Sequence, residues 1–384
     1  MKSLFKKSTL CLIAGSSIPA MAAPLISLGD SLDLYFNGSA TARYQSNVFL
    51  QSANEEGDTS FIFSPGIELA FGRTNSELSG KLQIREDFDV YVNNSQLDNH
   101  KANIFFNGRY DTGVFKLTGR FSFAEVDQNT ADTALPPELQ GKLIEREITS
   151  AEAYAEYQVS TLTSIGAGVT ADHIFYQTFQ DRFSDQTQIG IPVDAFWKYS
   201  EKLDFSVGYR YRDTDVGRGT DTQDHFFNVG ARGDLAPKLQ GRVQVGYTVR
   251  EYDSATMDNE GTFTVITGLT YQATPKVLLG LDLSRDYGTA GTGSSIESTT
   301  ARLKADYSLN NFFAINTNLG YSKADYTNNT RQDDTYDFGI GLSYTPNDYI
   351  RLSAGYIYQK NESDGVGGVS YDNNVINVSA SLRY

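Results

Sequence analysis

Apolar side chains recur at every second position in segment after segment of this chain, and a period of two limits it to strands with two unlike faces. Leu32, Leu34, Phe36, Gly38, Ala40 and Ala42 alternate with Asp33, Asn37, Ser39, Thr41 and Arg43. Leu203, Phe205, Val207, Tyr209 and Tyr211 alternate with Asp204, Ser206, Gly208, Arg210 and Arg212. The pattern returns in Val243, Val245, Tyr247 and Val249, in Ala301, Leu303, Ala305 and Tyr307, and in Ile350, Leu352, Ala354, Tyr356 and Tyr358. In the closing VINVSASLRY, Ile376, Val378, Ala380, Leu382 and Tyr384 share one face, while Asn377, Ser379, Ser381 and Arg383 share the other. One face is aliphatic and aromatic throughout; the other is charged, hydroxylic or glycine.

A soluble β-sandwich could bury the first face, but it would rarely need so many strands with Tyr at the ends of the apolar stripe. The 24 Tyr, 23 Phe and 34 Gly against one Trp, three Met and three His suit a different solvent. Mean hydropathy is negative. No apolar run after the N-terminal segment approaches the roughly 20 residues a membrane helix needs. Aromatic richness, low hydropathy and strict alternation together predict a transmembrane antiparallel β-barrel, half of each strand facing lipid and half facing water.

Residues 1–22 read as a signal peptide. Lys2, Lys6 and Lys7 precede a modest apolar stretch, and Ala20-Met21-Ala22 fits a small-x-small cleavage site, leaving 23–384 as a single barrel domain. Leu10 before Cys11 argues against a lipid-anchored cysteine, and cleavage removes that one Cys, so no disulfides are expected. The formal charge of −15 grows more negative by three with those lysines gone, which disfavours nucleic acid as a partner.

Connections come in two kinds. Very short turns are expected at 73–76, 112–113, 160–161, 201–202, 237–238, 275–276, 310–311 and 346–348. Longer polar loops at 47–58, 129–147, 217–224, 254–261, 287–298 and 361–371 alternate with them. That is the arrangement of outer-membrane barrels, with short periplasmic turns and longer extracellular loops. Tyr110, Tyr157, Tyr199, Tyr271, Tyr307 and Tyr344 precede short turns and read as a periplasmic aromatic girdle, because amphipathic rings prefer the headgroup level. The segments add up to about 18 strands, an even number that brings both ends of the domain to the periplasmic side. The region 148–171 carries the weakest signal: Ala153, Ala155 and Tyr157 must face out, and Glu152, Tyr154 and Glu156 in. A closed ring requires the last strand to pair with the first, since an open edge in hydrocarbon would strand backbone polar groups. Tyr384 with Leu382 resembles the C-terminal signal that hands such barrels to their assembly machinery, and lipid and lipopolysaccharide would surround the outer face.

The opposite parity should line the lumen. Its basic members include Arg43, Arg85, Arg109, Arg120, Arg210, Arg212, Arg232, Arg242, Arg250, Arg302 and Arg351, and Glu68, Asp89, Glu125, Asp194 and Asp337 are among the acidic ones. Two roles compete for the arginines. They can pair with inward carboxylates and stiffen the wall, or present guanidinium forks to anionic groups of a passing solute. The acid excess is expected in the loops, at Glu55, Glu56, Asp58, Asp127, Asp213, Asp333 and Asp334 among others, either as solvated charge or as Ca²⁺ ligands. The loop 129–147, with Pro136-Pro137, is the candidate constriction. His100, His173 and His225 show no metal or triad spacing, and Asp224 and His225 point to opposite faces as strand neighbours. No enzyme activity, cofactor or metal is expected.

The first hairpin is more specific. Ser46-Asn47-Val48-Phe49-Leu50, an acidic loop ending at Asp58, and the strand Phe61-Ile62-Phe63-Ser64-Pro65-Gly66-Ile67-Glu68-Leu69 resemble the putative β-barrel outer-membrane porin family associated with exopolysaccharide gene clusters. Pro65-Gly66 inside a strand predicts a bend or bulge. The resemblance implies a wide barrel acting as the outer-membrane conduit of a polysaccharide secretion system, with a periplasmic polysaccharide export protein as partner. Tyr35, Tyr91 and Tyr154 would then contact the sugar chain. A passive porin for small anionic or sugar solutes, and a barrel for surface adhesion, are the alternatives.

Overall fold

The computed structural model describes residues 24–29, 31–72, 76–128, 142–327, 330–365 and 367–384. The signal-peptide reading of 1–22 lies outside them. A short strand β1 (Ile26–Leu28) precedes β2 (Leu32–Gln45), β3 (Asp58–Phe71), β4 (Leu78–Tyr91), β5 (Asn99–Asp111), β6 (Phe115–Gln128) and β7 (Ile144–Gln158). Then follow β8 (Thr163–Tyr176), β9 (Gln186–Lys198), β10 (Leu203–Val216), β11 (Thr222–Ala236), β12 (Leu239–Tyr252) and β13 (Glu260–Thr274). The chain continues through β14 (Val277–Thr289), β15 (Ser295–Ser308), β16 (Phe313–Tyr326), β17 (Gln332–Tyr344), β18 (Ile350–Asp364) and β19 (Tyr371–Arg383).

Each long strand pairs antiparallel with the next, and β19 closes the ring on β2, from Val375↔Gln45 to Arg383↔Asn37. Tyr384 and Phe36 exchange two further backbone bonds of 2.6 and 2.9 Å. Beyond them the edge of β2 would be bare. The short strand β1 fills it, pairing Leu28↔Leu32, Ser27↔Asp33 and Ile26↔Leu34 in line with the end of β19. The closing seam is also clamped by side chains. Arg383 reaches past β2 to Glu68 on β3 at 2.7 Å, Lys81 on β4 holds the same carboxylate at 3.0 Å, and the Arg383 guanidinium lies 3.8 Å from the centre of the Tyr35 ring.

The outer surface is apolar. Val207 and Phe227 are 65% and 58% exposed, and Phe61, Ile67, Leu319, Leu352, Val378 and Leu382 are likewise uncovered. A water-soluble barrel could not leave so continuous a belt bare. Strands of 13–15 residues exceed the 9–11 that a tilted strand needs to cross hydrocarbon. Their surplus extends the wall above the bilayer, which corrects several sequence boundaries. The loops are 253–259, 290–294 and 365–370 rather than 254–261, 287–298 and 361–371. Asp127, Asp213, Asp333 and Asp334, assigned to loops, stand at strand ends, where carboxylates remain wet or paired. Of the constriction loop 129–147, residues 129–141 lie outside the described residues.

Pro65-Gly66 makes no bulge. Phe63↔Phe88 and Gly66↔Arg85 keep one register, with no pairing between them at Ser64 and Pro65. Pro has no N–H to offer, and its neighbours carry the ladder across the gap. Larger interruptions occur at two long-loop ends. The β5–β6 ladder begins only at Asn103↔Ala124, and the β13–β14 ladder only at Val265↔Arg285, so the strand ends above both points part from their neighbours. At the first, Ala102 N–H donates to the Glu125 carboxylate at 2.7 Å in place of a strand partner. Glu125 therefore closes a gap in the wall instead of lining the lumen.

Parity gives a direct test. Val378→Arg puts charge into the lipid belt and should lower unfolding stability in lipid vesicles by about 2–4 kcal/mol at mid-depth. Ser379→Arg, one residue on, should cost less than half as much. Equal losses in urea titrations would contradict the assigned faces.

Candidate functional site: the inner wall of the barrel

The barrel's interior is the surface that any solute would meet, and its chemistry is set by alternation. The inward arginines are met by carboxylates from nearby strands. Near the long-loop rim Arg43 passes β3 to reach Asp89 at 2.5 Å, with Ser60 and Tyr91 each at 3.1 Å. At mid-height Arg85 bonds Asp87 at 2.9 Å, while Arg120 and Arg302 lie 3.8 and 3.9 Å from Glu152 and Asp337. Lower down, Arg232 forks onto Glu156 at 2.7 and 2.8 Å and bonds Asp204 at 3.0 Å, its guanidinium 3.5 Å from the Phe196 ring centre. Arg242 lies 3.8 Å from Asp194, which also accepts the Tyr154 hydroxyl at 2.9 Å. Arg109 pairs with Asp111 at the short-turn rim. A guanidinium withdrawn from bulk water costs several kcal/mol unless a carboxylate repays it, so pairing neutralises most of this wall. Arg351, on β18 near the short turns, has no carboxylate partner among the described residues.

The densest group is built by β10, β11, β12 and β14. Asp224 accepts Arg212 Nε at 2.7 Å and Arg250 Nε and Nη2 at 2.7 and 2.8 Å. The Asp224 and Arg250 side chains are 1% and 0% exposed. Asp286, four strands round from β10, accepts Arg210 at 2.6 Å and Arg212 at 3.0 Å. Such a reach is explained by the break between β13 and β14. Freed from β13, the upper ends of β14 and β15 lean into the mouth, still paired to each other from Asp286↔Ser298 to Thr289↔Ser295. Tyr287 and Ser295 share parity with the lipid-facing Leu281, Leu283 and Leu303, yet the inner wall covers them, while Glu297 of the same parity is half-buried and pairs with Arg285 at 2.6 Å. The Arg250 guanidinium lies 4.6 Å from the Tyr287 ring centre and donates to Gly288 O at 2.9 Å and Ser295 Oγ at 2.7 Å. Thr262 on β13 donates to Glu297 at 2.7 Å. The arm's tip meets two other loops. Ser184 N–H bonds Gly291 O at 2.8 Å, Gln186 Nε2 bonds Ala290 O at 2.7 Å, and a Cβ on Gly293 would lie 1.8 Å from Arg218 O.

Other loops also fold over the mouth. Asn47 donates to Gln51 O and Asp372 O at 2.8 and 3.0 Å, while Asp58 accepts the backbone N–H of Asn94 at 2.9 Å. Val48, Phe49 and Leu97 form a small apolar cluster with Tyr91 and Leu143 beneath them. A second cluster joins Ile144, Ile174, Tyr176 and Phe183. The quoted motif residues of the first hairpin are thus the fixings of a folded loop and, through Glu68, of the barrel seam.

The remaining arc of wall differs in kind. From β16 to β2 the inner face carries Asn316, Asn318, Ser343, Ser353, Ser379 and Thr41, with Gly339, Gly341 and Gly355 between them. Hydroxyls, amides and glycines outnumber charges there, the exceptions including Asp337, Arg351, Arg383 and Arg43.

At the short-turn rim Tyr157, Tyr199, Tyr271 and Tyr307 are exposed on the outer face. Tyr344 stacks on Phe313 at 4.6 Å and Tyr110 lies 6.4 Å from Phe115. Trp197, Phe205 and the pair Tyr349–Tyr384 belong to the same band and were not anticipated. Sequence reasoning also missed Asp286 as a lumen residue, although its parity with Asp282 was legible, and placed Asp224 in a loop. His225 bonds the Tyr209 hydroxyl at 2.8 Å on the outer face while Asp224 points inward, so the two do not act together. Among the described residues no group of three or more acidic or imidazole side chains could hold a metal ion.

The fold is shared with solved barrels of low sequence identity. The FrpB iron transporter of Neisseria meningitidis, in its apoprotein form, matches with a TM-score of 0.50 and 9% identity over 93% of this chain and 82% of its own. The outer membrane protein OpdK of Pseudomonas aeruginosa matches with a TM-score of 0.47 and 12% identity over 92% and 99% of the two chains. OccAB3 of Acinetobacter baumannii gives 0.47 and 10% over 93% and 100%. These likenesses concern the fold alone. No curated protein sequence matches the chain. The family described as "Putative beta-barrel porin 2" matches over residues 37–384, and with the closed 18-strand ring this makes the chain a member of that family, an outer-membrane porin-like barrel.

Proposed function

We propose that the protein is a passive diffusion channel for small hydrophilic solutes, neutral sugars among them. The observation that carries this reading is the division of the inner wall into two arcs. On one, arginines are largely neutralised by carboxylates within 4 Å. On the other, Asn316, Asn318, Ser353 and Ser379 offer neutral hydrogen bonds between a few charges such as Asp337 and Arg351. Neither arc gives a small ion a deep well to be trapped in, and both keep the interior wet. Inward charge pairs suit a permeation path better than a binding pocket.

A second reading, the outer-membrane conduit for exopolysaccharide or capsule with a periplasmic export protein beneath it, is supported by the first-hairpin motif and by the same arc rich in hydroxyls and amides. Hydroxyls and amides can slide along a sugar chain by exchanging equivalent hydrogen bonds. Loss of surface polymer on gene deletion supports this reading, and undiminished secretion removes it.

Two measurements test the channel. Purified protein in planar bilayers should give stepwise conductance with weak ion selectivity, and liposomes carrying it should swell in small neutral sugars. A silent bilayer at all voltages overturns the proposal. Arg351→Glu reverses the charge of a wall arginine that has no carboxylate partner among the described residues. It should shift the reversal potential toward cations without changing barrel stability, whereas Lys304→Ala, in an exposed pair 3.5 Å from Asp282, should leave selectivity nearly unchanged.

A further inference from the structure

The geometry points to the upper β14–β15 hairpin, residues 286–297, as a displaceable arm that sets how far the mouth is open, with Asp286 as its latch. This inference rests on the channel reading and adds the element that limits passage.

Three observations support it. First, the arm has parted from one neighbour, β13, and holds to the wall only along β16. The β13–β14 ladder stops at Val265↔Arg285, whereas β14 and β15 remain paired to their tips, so the arm is joined to the barrel by a hinge at Arg285 on one side and by β16 on the other. Second, its fixings are polar. Asp286 is held by Arg210 and Arg212, Arg212 Nη2 reaches Tyr287 O at 3.0 Å, and Arg250 reaches Gly288 O and Ser295. Among the described residues no cluster of buried aliphatic side chains joins the arm to β10–β12. Polar contacts of this kind exchange for water at modest cost, unlike an apolar core. Third, the docked arm leaves its site complete when it departs. Asp224 remains between Arg212 and Arg250, so the wall keeps a shared counter-ion whether or not Asp286 is present. With the arm in, the mouth beside β10–β12 is filled; with it out, that sector opens and the arm's tip returns to water.

The latch is tested by single-channel recording on the refolded protein from residue 23 onward, with heat-modifiable gel mobility confirming a folded barrel. Asp286→Asn removes the charge that holds Arg210 and Arg212 and should raise open probability or mean conductance at least threefold. The converse variant pairs Arg218→Cys with Thr292→Cys, which lie at the arm's tip against the 217–221 loop. A short thiol-reactive crosslinker should lower conductance at least threefold, and a cleavable one should restore it on reduction. The only natural cysteine, Cys11, lies in the expected signal peptide. If the wild type conducts while both variants match it, the arm is a fixed part of the wall and the inference fails. If neither the wild type nor any variant conducts, the channel reading itself falls, and the arm with it.

Discussion

Hydrocarbon offers no partner to a backbone N–H or C=O, and that single constraint orders the whole molecule. It compels the ring to close, so the last strand must find the first. It explains why β1 turns back along β2 where β19 ends, and why Arg383, Glu68 and Lys81 gather at that seam. It also predicts where the rule can lapse. Both long interruptions of the ladder, between β5 and β6 and between β13 and β14, lie toward the long loops, where water can replace a missing strand. Strand ends can lean inward at that height; at mid-membrane they cannot.

The interior follows from a second cost, that of taking charge out of water. An aqueous lumen would let arginines stand free, yet Arg212 and Arg250 are almost wholly covered and share Asp224. They are covered because the arm lies over them. Their carboxylate partners come from β11 and from the arm itself, so the network and the arm's position are one arrangement. Removing Asp224 would leave two buried guanidinium groups facing each other, a loss of about 3–5 kcal/mol by analogy with broken buried pairs. Asp286 is different, since Arg210 and Arg212 are left with other partners or with solvent.

Legibility in the sequence divides along the same line. Alternation located the strands and the short turns after 76 (of the turn expected at 73–76, residues 73–75 lie outside the described residues), because period two is local and each segment carries it independently. It held even through 148–171, where Tyr154 and Glu156 do reach Asp194 and Arg232 across the interior. Strand ends were placed too early wherever Gly, Ser, Thr or Asp accumulate, as at 287–298, because those residues suit both a loop and a strand standing above the bilayer. Pro65-Gly66 suggested a bulge, but bulging is decided by the neighbouring strand, which holds register on both sides of the gap. The arm was invisible for a deeper reason. Parity says which face of a strand a residue occupies, and not whether the strand stays in the ring. Tyr287 and Ser295 have the parity of lipid-facing residues and are buried against the inner wall.

That mismatch between parity and burial is itself informative. A residue of outward parity that is covered by protein must belong to a segment that has crossed inside, because the lipid side of a monomeric barrel carries nothing to cover it. Tyr287 and Ser295 meet the condition together, on two paired strands, against Arg250 of β12, and the half-buried Glu297 beside them reaches Thr262 of β13. Serine and glutamate on that face would be costly in lipid; Ser295 is satisfied against Arg250, and Glu297 against Thr262 and Arg285. Glycines 288, 291 and 293 leave the arm thin, and at Gly293 even a methyl group would strike Arg218 O. The residues that look like a loop in sequence are therefore those that let two strands fit within a lumen already lined by side chains.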